Sequence, residues 1–365
     1  MTGERVLVGL SGGVDSSVAA ALLVEQGYDV SGAMLRLWVE PGPCEGDPCA
    51  DRCCTPEGVD RAQQVADRLG IPFYLLDAEE LFKSRVVDYF VAEYAAGRTP
   101  NPCIPCNRFV RFGFLLRQAL AMGATFLSTG HYARVQKEAG RRQLLRGRDI
   151  GKDQSYFLYA LDQEQLSHVL FPLGELTKEE VRRIARRRDL PVVEQPESQD
   201  LCFVVGGDYR DFLRRQAPHL CRPGPIRDMT GRVVGQHQGL PAYTVGQRKG
   251  LGVAASQPLY VLALDADENA LVIGPADGLE QDECLIQDVH YIDGASPGVT
   301  FQARAQIRYR ASPTVVTVTA LSNGTSRVRF ASPIRGVTPG QSLVLYDGDV
   351  VLGGGIICKA RQPVL

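Results

Sequence analysis

The loop Ser11-Gly12-Gly13-Val14-Asp15-Ser16-Ser17 lies between an apolar run, Val6-Leu7-Val8-Gly9-Leu10, and a helical pattern, Val18-Ala19-Ala20-Ala21-Leu22-Leu23. A strand that feeds a helix through so short a turn packs that helix back on its own sheet, which points to an α/β layer fold. The pattern repeats. Further strand-like runs occupy Tyr28–Leu37, Pro72–Leu76 and Ala124–Leu127, and the helical stretches between them end at Gly27, Gly70 and Gly123. Each of those glycines is placed as a helix C-cap. Strand–helix alternation of this kind predicts a parallel sheet covered by helices, with ligands at the carboxyl ends of its strands. Ser11–Ser17 and Gly130-His131 each follow such an end.

The glycine loop has its own chemistry. Glycines let backbone amides approach an anion, and the following helix adds free N–H groups and the positive end of its dipole. Ser11, Ser16 and Ser17 add hydroxyl donors, and Asp15 could orient a metal or a hydroxyl. No Gly-Lys-Ser/Thr follows, so this is not the lysine-bearing nucleotide loop. The string resembles the loop of ATP pyrophosphatases, which split ATP between its α and β phosphates and adenylate a substrate oxygen. A plain glycine turn is the alternative reading.

At 365 residues the chain calls for two or three domains. A net charge of −2 excludes a global basic field, so local clusters must carry any nucleic-acid binding. No apolar run approaches a membrane span or a secretory leader, which makes the cytoplasm the expected compartment. Ten cysteines there read as thiols, catalytic groups or metal ligands rather than structural disulfides. After about residue 205 short β-type runs dominate. Residues 1–205 are therefore expected to form the α/β domain, 206–288 a small linker domain and 289–365 an antiparallel β-barrel. Leu343–Val350 reads as a hairpin with an Asp-Gly turn.

Two segments offer reactive thiols. Gly97-Arg98-Thr99-Pro100-Asn101-Pro102-Cys103-Ile104-Pro105-Cys106-Asn107 is stiffened by three prolines, and Asn107 is placed as the N-cap of a helix through Phe109, Phe112 and Leu115-Leu116. A thiol just before that helix should ionise more easily. The Cys103/Cys106 spacing fits a redox dithiol, half a zinc site or part of an iron–sulfur site. Ser198-Gln199-Asp200-Leu201-Cys202-Phe203 supplies another thiol, for which burial in a strand is the plain alternative. Cys44, Cys49, Cys53 and Cys54 crowd a Pro/Gly-rich insertion with no zinc-ribbon spacing, and Cys221, Cys284 and Cys358 read as structural.

Taken together, the glycine loop, Gly97–Asn107, Gly130-His131-Tyr132-Ala133, Lys152-Asp153-Gln154-Ser155-Tyr156, Ser198–Cys202 and Tyr243–Gly250 resemble the bacterial-type tRNA-specific 2-thiouridylases. The resemblance runs over essentially the whole chain. It implies a parallel-sheet pyrophosphatase domain, a linker domain and a C-terminal antiparallel barrel. It implies ATP, Mg²⁺ and a tRNA whose wobble uridine is flipped into the site. The uridine C2 oxygen would attack the α phosphate, and sulfur would then replace that oxygen with loss of AMP. By position, Cys106 matches the nucleophile and Cys202 the cysteine that carries persulfide sulfur. Gly9, Leu10, Ser11, Gly12, Gly13, Val14, Asp15, Ser16, Leu35 and Gly130 match ATP contacts. Asn101, Pro102, Cys103, Lys152, Asp153, Gln154, Arg308 and Tyr309 match tRNA contacts, and His131 and Gln341 positions near the target base. The tRNAs would be those for Lys, Glu and Gln, and a cysteine desulfurase or sulfur carrier would supply the sulfur.

One departure stands out. Many relatives of this kind carry Asp where this chain has Cys103. Cys103, Cys106 and Cys202 thus resemble the ligand set of thiolases that hold a [4Fe–4S] cluster, with Cys106 then a ligand and not a free nucleophile. Without a cluster, Cys106 and Cys202 would relay a persulfide. Both schemes remain open on the sequence.

Basic residues cluster at Lys178, Arg182, Arg183 and Arg186–Arg188, read as a solvated helix face or a phosphate-backbone grip. Gln247-Arg248-Lys249 forms another basic turn. Arg304, Arg308 and Arg310 would share one face of a strand, with Tyr309 on the other. An amidating synthetase would share the glycine loop but has no use for Cys103, Cys106 and Cys202. A non-catalytic RNA-binding protein would have no use for the loop.

Overall fold

The computed structural model describes residues 3–40, 56–193, 201–204, 208–321 and 324–360. Cys44, Cys49, Cys53, Cys54 and Ser198–Asp200 lie outside the described residues. The parallel sheet is present. Strands β1 (Arg5–Gly9), β2 (Asp29–Arg36), β3 (Phe73–Asp77) and β4 (Phe126–Ser128) fall on the four apolar runs. A hairpin of β5 (Ala133–Glu138) and β6 (Arg141–Arg146) follows, and the short β7 (Val169–Leu170) completes the order β3-β2-β1-β4-β7. Every pairing in that sheet is parallel. Side chains alternate across it: Val6 and Val8 enter one apolar cluster with Leu23 and Met34, while Leu7 enters another with Phe112 and Leu127.

The helices are α1 (Val14–Glu25), α2 (Pro56–Leu69), α3 (Glu79–Phe82), α4 (Asp88–Ala95), α5 (Cys103–Pro105), α6 (Leu116–Ala121), α7 (Gln163–Ser167), α8 (Lys178–Arg187) and α9 (Tyr209–Gln216). Wider π-type turns over Lys83–Val87 join α3 to α4, and over Cys106–Leu115 join α5 to α6. Helix α1 buries Val18 to Ala21 and Leu23, an all-round apolar helix as an α/β core requires. Gly27, Gly70 and Gly123 take φ values of +83°, +66° and +84°, the left-handed geometry that ends a helix. No described helix is long and apolar enough to cross a membrane.

Beyond the α/β region, β8 (Gly224–Arg227), β9 (Val233–His237), β10 (Tyr260–Asp265) and β11 (Ala270–Gly274) form a mixed sheet in the order β10-β11-β8-β9. The rest is a barrel. Strands β12 (Glu280–Tyr291), β13 (Thr300–Gln306), β14 (Thr314–Ala320), β15 (Ser326–Arg335), β16 (Ser342–Asp347) and β17 (Val350–Ala360) close through a β12–β17 pairing, which removes the free edges. β12 is in the barrel from Glu280, so a boundary at 288 falls inside it, because its first half already pairs with β15 and β17.

Two local expectations change. Strand β13 stops at Gln306, and Arg310 sits at φ +65°, so Arg304, Arg308 and Arg310 do not share a strand face; Arg308–Arg310 form the turn after it. The β16–β17 hairpin turns on Gly348-Asp349, because Asp347 still pairs with Val350.

Candidate functional site

The glycine loop leaves the carboxyl end of β1 and is shaped by its own hydroxyls. Ser11 N–H donates to Ser16 Oγ (3.1 Å), while the Ser16 and Ser17 hydroxyls donate to Gly13 O (3.1 and 2.9 Å). Leu10 N–H reaches across to Ala33 O (2.8 Å), fixing the loop to β2. Gly130, beyond β4, comes so close that a Cβ there would lie 2.7 Å from Ser16 N. The result is a cradle of amides and hydroxyls at a helix N-terminus, which suits a phosphate. Asp15 is already engaged: Lys178 Nζ lies 2.7 and 2.9 Å from its two oxygens, and the Tyr132 hydroxyl donates to Oδ1 (2.8 Å).

The cysteine segment folds as a helix start. Asn101 Oδ1 accepts from Cys103 N–H (3.1 Å), and Cys106 N–H donates to Pro102 O (3.2 Å). Asn107 is therefore not the cap. It is buried inside the helix, donating Nδ2–H to Phe157 O (3.1 Å) and accepting from Arg111 (3.1 Å). Cys103 has an exposed side chain, yet surrounding protein pushes its thiol up to about 11, with Cys106 adding and Arg111 opposing. That direction is opposite to the easier ionisation expected from helix position alone.

Cys106 is 5% exposed, in a cluster with Phe90, Val110, Phe203 and Val204, against which Leu35, Leu37 and Leu201 pack. The residues flanking Cys202 thus share the core that covers Cys106, while Cys202 itself is exposed. Among the described residues no three Cys, His, Asp or Glu side chains converge to hold a metal, so Cys103, Cys106 and Cys202 do not fit a cluster in this arrangement.

His131 is 7% exposed, bonded through Nδ1 to Thr129 Oγ1 (2.7 Å) and set between Phe112 and Phe171. Burial, with Arg111 nearby, lowers its pKa to about 3, so the ring is neutral. Lys152 and Gln154 are half-buried, and Gln154 exchanges bonds with the Tyr132 backbone (2.9 and 3.0 Å). Asp153 lies inside the protein instead of at its surface. It accepts from Gly147 N, Ser155 N and Ser155 Oγ (3.0 Å each) and pairs with Arg146 (2.9 Å). Arg308 is exposed, and the Tyr309 ring centre is 4.5 Å from that of Phe157, the residue Asn107 holds. Gln341 donates Nε2–H to Thr99 O (2.8 Å), two residues before Asn101.

Family comparisons divide the chain into three stretches, though the β5–β6 hairpin of the first joins the barrel's sheet. Residues 4–206 match a "tRNA methyl transferase HUP domain", 210–275 a "tRNA methyl transferase PRC-barrel domain" and 281–357 an "Aminomethyltransferase beta-barrel domain". A tRNA-specific 2-thiouridylase MnmA from Moorella thermoacetica is 51% identical, covering 98% of this chain and 100% of its own. The same-named protein from Heliobacterium modesticaldum is 49% identical, covering 98% and 93%. The chain belongs to the tRNA-specific 2-thiouridylase family. Among solved structures, the U34-tRNA thiolase NcsA from Methanococcus maripaludis, with its [4Fe–4S] cluster, matches at TM-score 0.35 and 20% identity over 60% of this chain and 69% of its own.

In this thiouridylase, sequence reasoning missed three supports of the site. Lys178 read as part of a basic helix, either solvated or gripping a phosphate backbone, yet it is 9% exposed and bonded to Asp15. A cue existed. Thr177 and Glu180 form a capping box, which puts Lys178 in the first helical turn, where the dipole disfavours a cation. Tyr132 carried no signal beyond its motif. The third support, Thr99, has its N–H on Pro339 O (2.9 Å) and its carbonyl on Gln341, a contact across 242 positions that no local pattern encodes.

Proposed function

We propose that this thiouridylase converts the wobble uridine of tRNAs for Lys, Glu and Gln to 2-thiouridine, using ATP and a persulfide, in the cytoplasm. One observation carries the reading. The phosphate cradle, Leu35 at the end of β2, and the core that covers Cys106 and flanks Cys202 all meet at the carboxyl edge of one parallel sheet. Backbone amides of Ser11–Ser16 and the α1 N-terminus hold the β and γ phosphates. The uridine C2 oxygen attacks the α phosphorus, and the bond to the β-phosphate oxygen breaks as pyrophosphate leaves. A magnesium ion bound with the nucleotide would neutralise the leaving charge, and Asp15 and the loop hydroxyls would hold it. Neutral His131 offers a hydrogen-bonding edge to the base without adding charge.

Sulfur transfer then proceeds by relay. The donor protein leaves a persulfide on Cys202. Its terminal sulfur attacks C2, and AMP departs with the former C2 oxygen. The Cys106 thiolate attacks Cys202 Sγ, cleaving the S–S bond, so that one sulfur stays on the base and a Cys106–Cys202 disulfide forms. A thiol reductant supplies the two electrons that restore both cysteines. Cys106 must be uncovered for this step, which places a movement of the 201–204 segment within the cycle. No step runs through iron.

The test uses iron-free protein with ATP, Mg²⁺, a persulfide source and unmodified glutamate tRNA, and reads 2-thiouridine by mass spectrometry. Thiolation is expected, and Cys106→Ser or Cys202→Ser should each lose roughly 10³-fold or more in rate. Activity that appears only with about four irons per chain would sink the relay. Failure with and without iron would sink thiolation itself.

A further inference from the structure

The phosphate cradle has a charge problem. Its only ionised side chain, Asp15, is negative and stands at the N-terminus of α1, where a polyphosphate would dock. The loop carries no lysine to offset it. The structure supplies one from 163 positions away: Lys178 Nζ makes two bonds to the Asp15 carboxylate, at 2.7 and 2.9 Å. Lys178 is buried, while the Asp15 side chain is about one-third exposed, so of the pair the carboxylate is the more accessible to solvent.

Three further contacts hold this lysine in place. Its own N–H donates to Asp149 Oδ2 (2.9 Å), and the capping box of Thr177 and Glu180 fixes the start of α8. Its ammonium lies 6.0 Å from the Tyr132 ring centre, and the Tyr132 hydroxyl occupies the same Asp15 oxygen. A cation in a first helical turn opposes the helix dipole, so nothing in α8 itself favours a lysine there. Its position is accounted for by what it faces.

We propose that Lys178 is the phosphate-engaging cation of this site. When ATP enters, the ammonium exchanges the Asp15 carboxylate for oxygens of the β- and γ-phosphates, and Asp15, still held by Tyr132, turns to the divalent cation that accompanies the nucleotide. The flexible four-carbon stem makes this a side-chain movement with α8 in place. The inference rests on the ATP reading above and names a residue for it that the loop motif omits.

The experiment compares the full-length protein with Lys178→Met and Lys178→Arg, measuring calorimetric binding of inorganic pyrophosphate, MgATP and AMP, together with tRNA affinity and melting temperature. Lys178→Met is expected to weaken pyrophosphate and ATP by roughly 10- to 100-fold, the scale of a lost charged hydrogen bond. AMP and tRNA affinity should hold, and Lys178→Arg should recover much of the loss by keeping the charge. Unchanged pyrophosphate affinity in Lys178→Met overturns the proposal. So does an equal loss for pyrophosphate, AMP and tRNA, which is the mark of a structural role. A double variant with Asp15→Asn separates neutralisation from contact: if it restores pyrophosphate binding to Lys178→Met, the lysine only cancels Asp15 and the proposal fails. Wild-type protein that binds no ATP would instead sink the functional reading.

Discussion

His131 shows how one buried ring ties the site to pH. Thr129 holds its Nδ1, aromatic rings enclose it, and desolvation keeps it neutral. The unfolded chain protonates this residue near pH 6.5, the folded chain only near 3. Between those values the unfolded state binds more protons, so stability falls as pH drops below about 6.5 and is unaffected above it. By pH 5 this one group is expected to have cost about 2 kcal/mol. Denaturation of wild type and His131→Gln at pH 7.5 and pH 5 checks it: the variant should lose less stability on acidification, and equal losses would sink the assignment. The residue scale was also the least legible in sequence. Lys178 read as part of a basic helix and Asp153 as a tRNA contact, whereas both side chains are buried. Asp15 lies 163 positions from Lys178, too far for local pattern to reveal, whereas Arg146, only seven from Asp153, meets it across the loop that follows β6.

Among the elements, the strands were the readable part. Apolar runs bounded by C-cap glycines matched β1 to β4; central β1, buried on both faces, is continuously apolar as such a strand must be, while edge strand β3 leaves Tyr74 and Leu75 exposed. The cysteine helix was harder. Pro102 and Pro105 read as a stiff loop, yet proline is tolerated in a first helical turn, where its missing N–H has no partner to lose. The helix thus begins at Cys103, and Asn101 takes the capping contact expected of Asn107. Its π-type stretch buries Asn107, Val110, Phe112 and Leu115, and a wider turn is invisible to a 3.6-residue template. The junction of β4 with the glycine loop gives a sharper prediction. Gly130→Ala would set a methyl against the Ser16 amide and the Asp15 carbonyl carbon, backbone atoms that cannot rotate away. A loss of about 1–3 kcal/mol is expected from the overpacking, together with at least roughly 100-fold in ATP affinity as the amides misalign. Thermal melting and calorimetry read both, and ATP affinity within a factor of about two of wild type would refute the close-approach argument.

Across the whole molecule, the barrel does more than offer a surface. Its Pro339–Gln341 loop clasps Thr99, and the Asp153–Arg146 pair continues to Gln306 (3.0 Å) and to the Tyr346 ring, bonding the β5–β6 hairpin to the barrel wall. Gly340 makes the clasp possible: at φ +91° it approaches so closely that a Cβ would lie 2.8 Å from Thr99 N. Gly340→Ala is therefore expected to displace the cysteine helix and slow thiolation by roughly 10²-fold, the scale of an ångström-sized misplacement. ATP affinity, set by the glycine loop and Gly130, which the clasp does not touch, should stay within a factor of about two. Single-turnover thiolation beside ATP titration separates the two, and a normal rate would show that the clasp is dispensable. The pairing of Leu145 with Val350 joins the hairpin to β17. On a translating ribosome, at about 5–20 residues per second, the hairpin emerges roughly 10–40 s before that partner exists. Nascent chains arrested ahead of Ser342 should accordingly fail the thiolation assay and gain activity only on release of β17. The hairpin thus gains its strand partner only after β17 has been made, so its seam with the barrel is among the later contacts this chain can form.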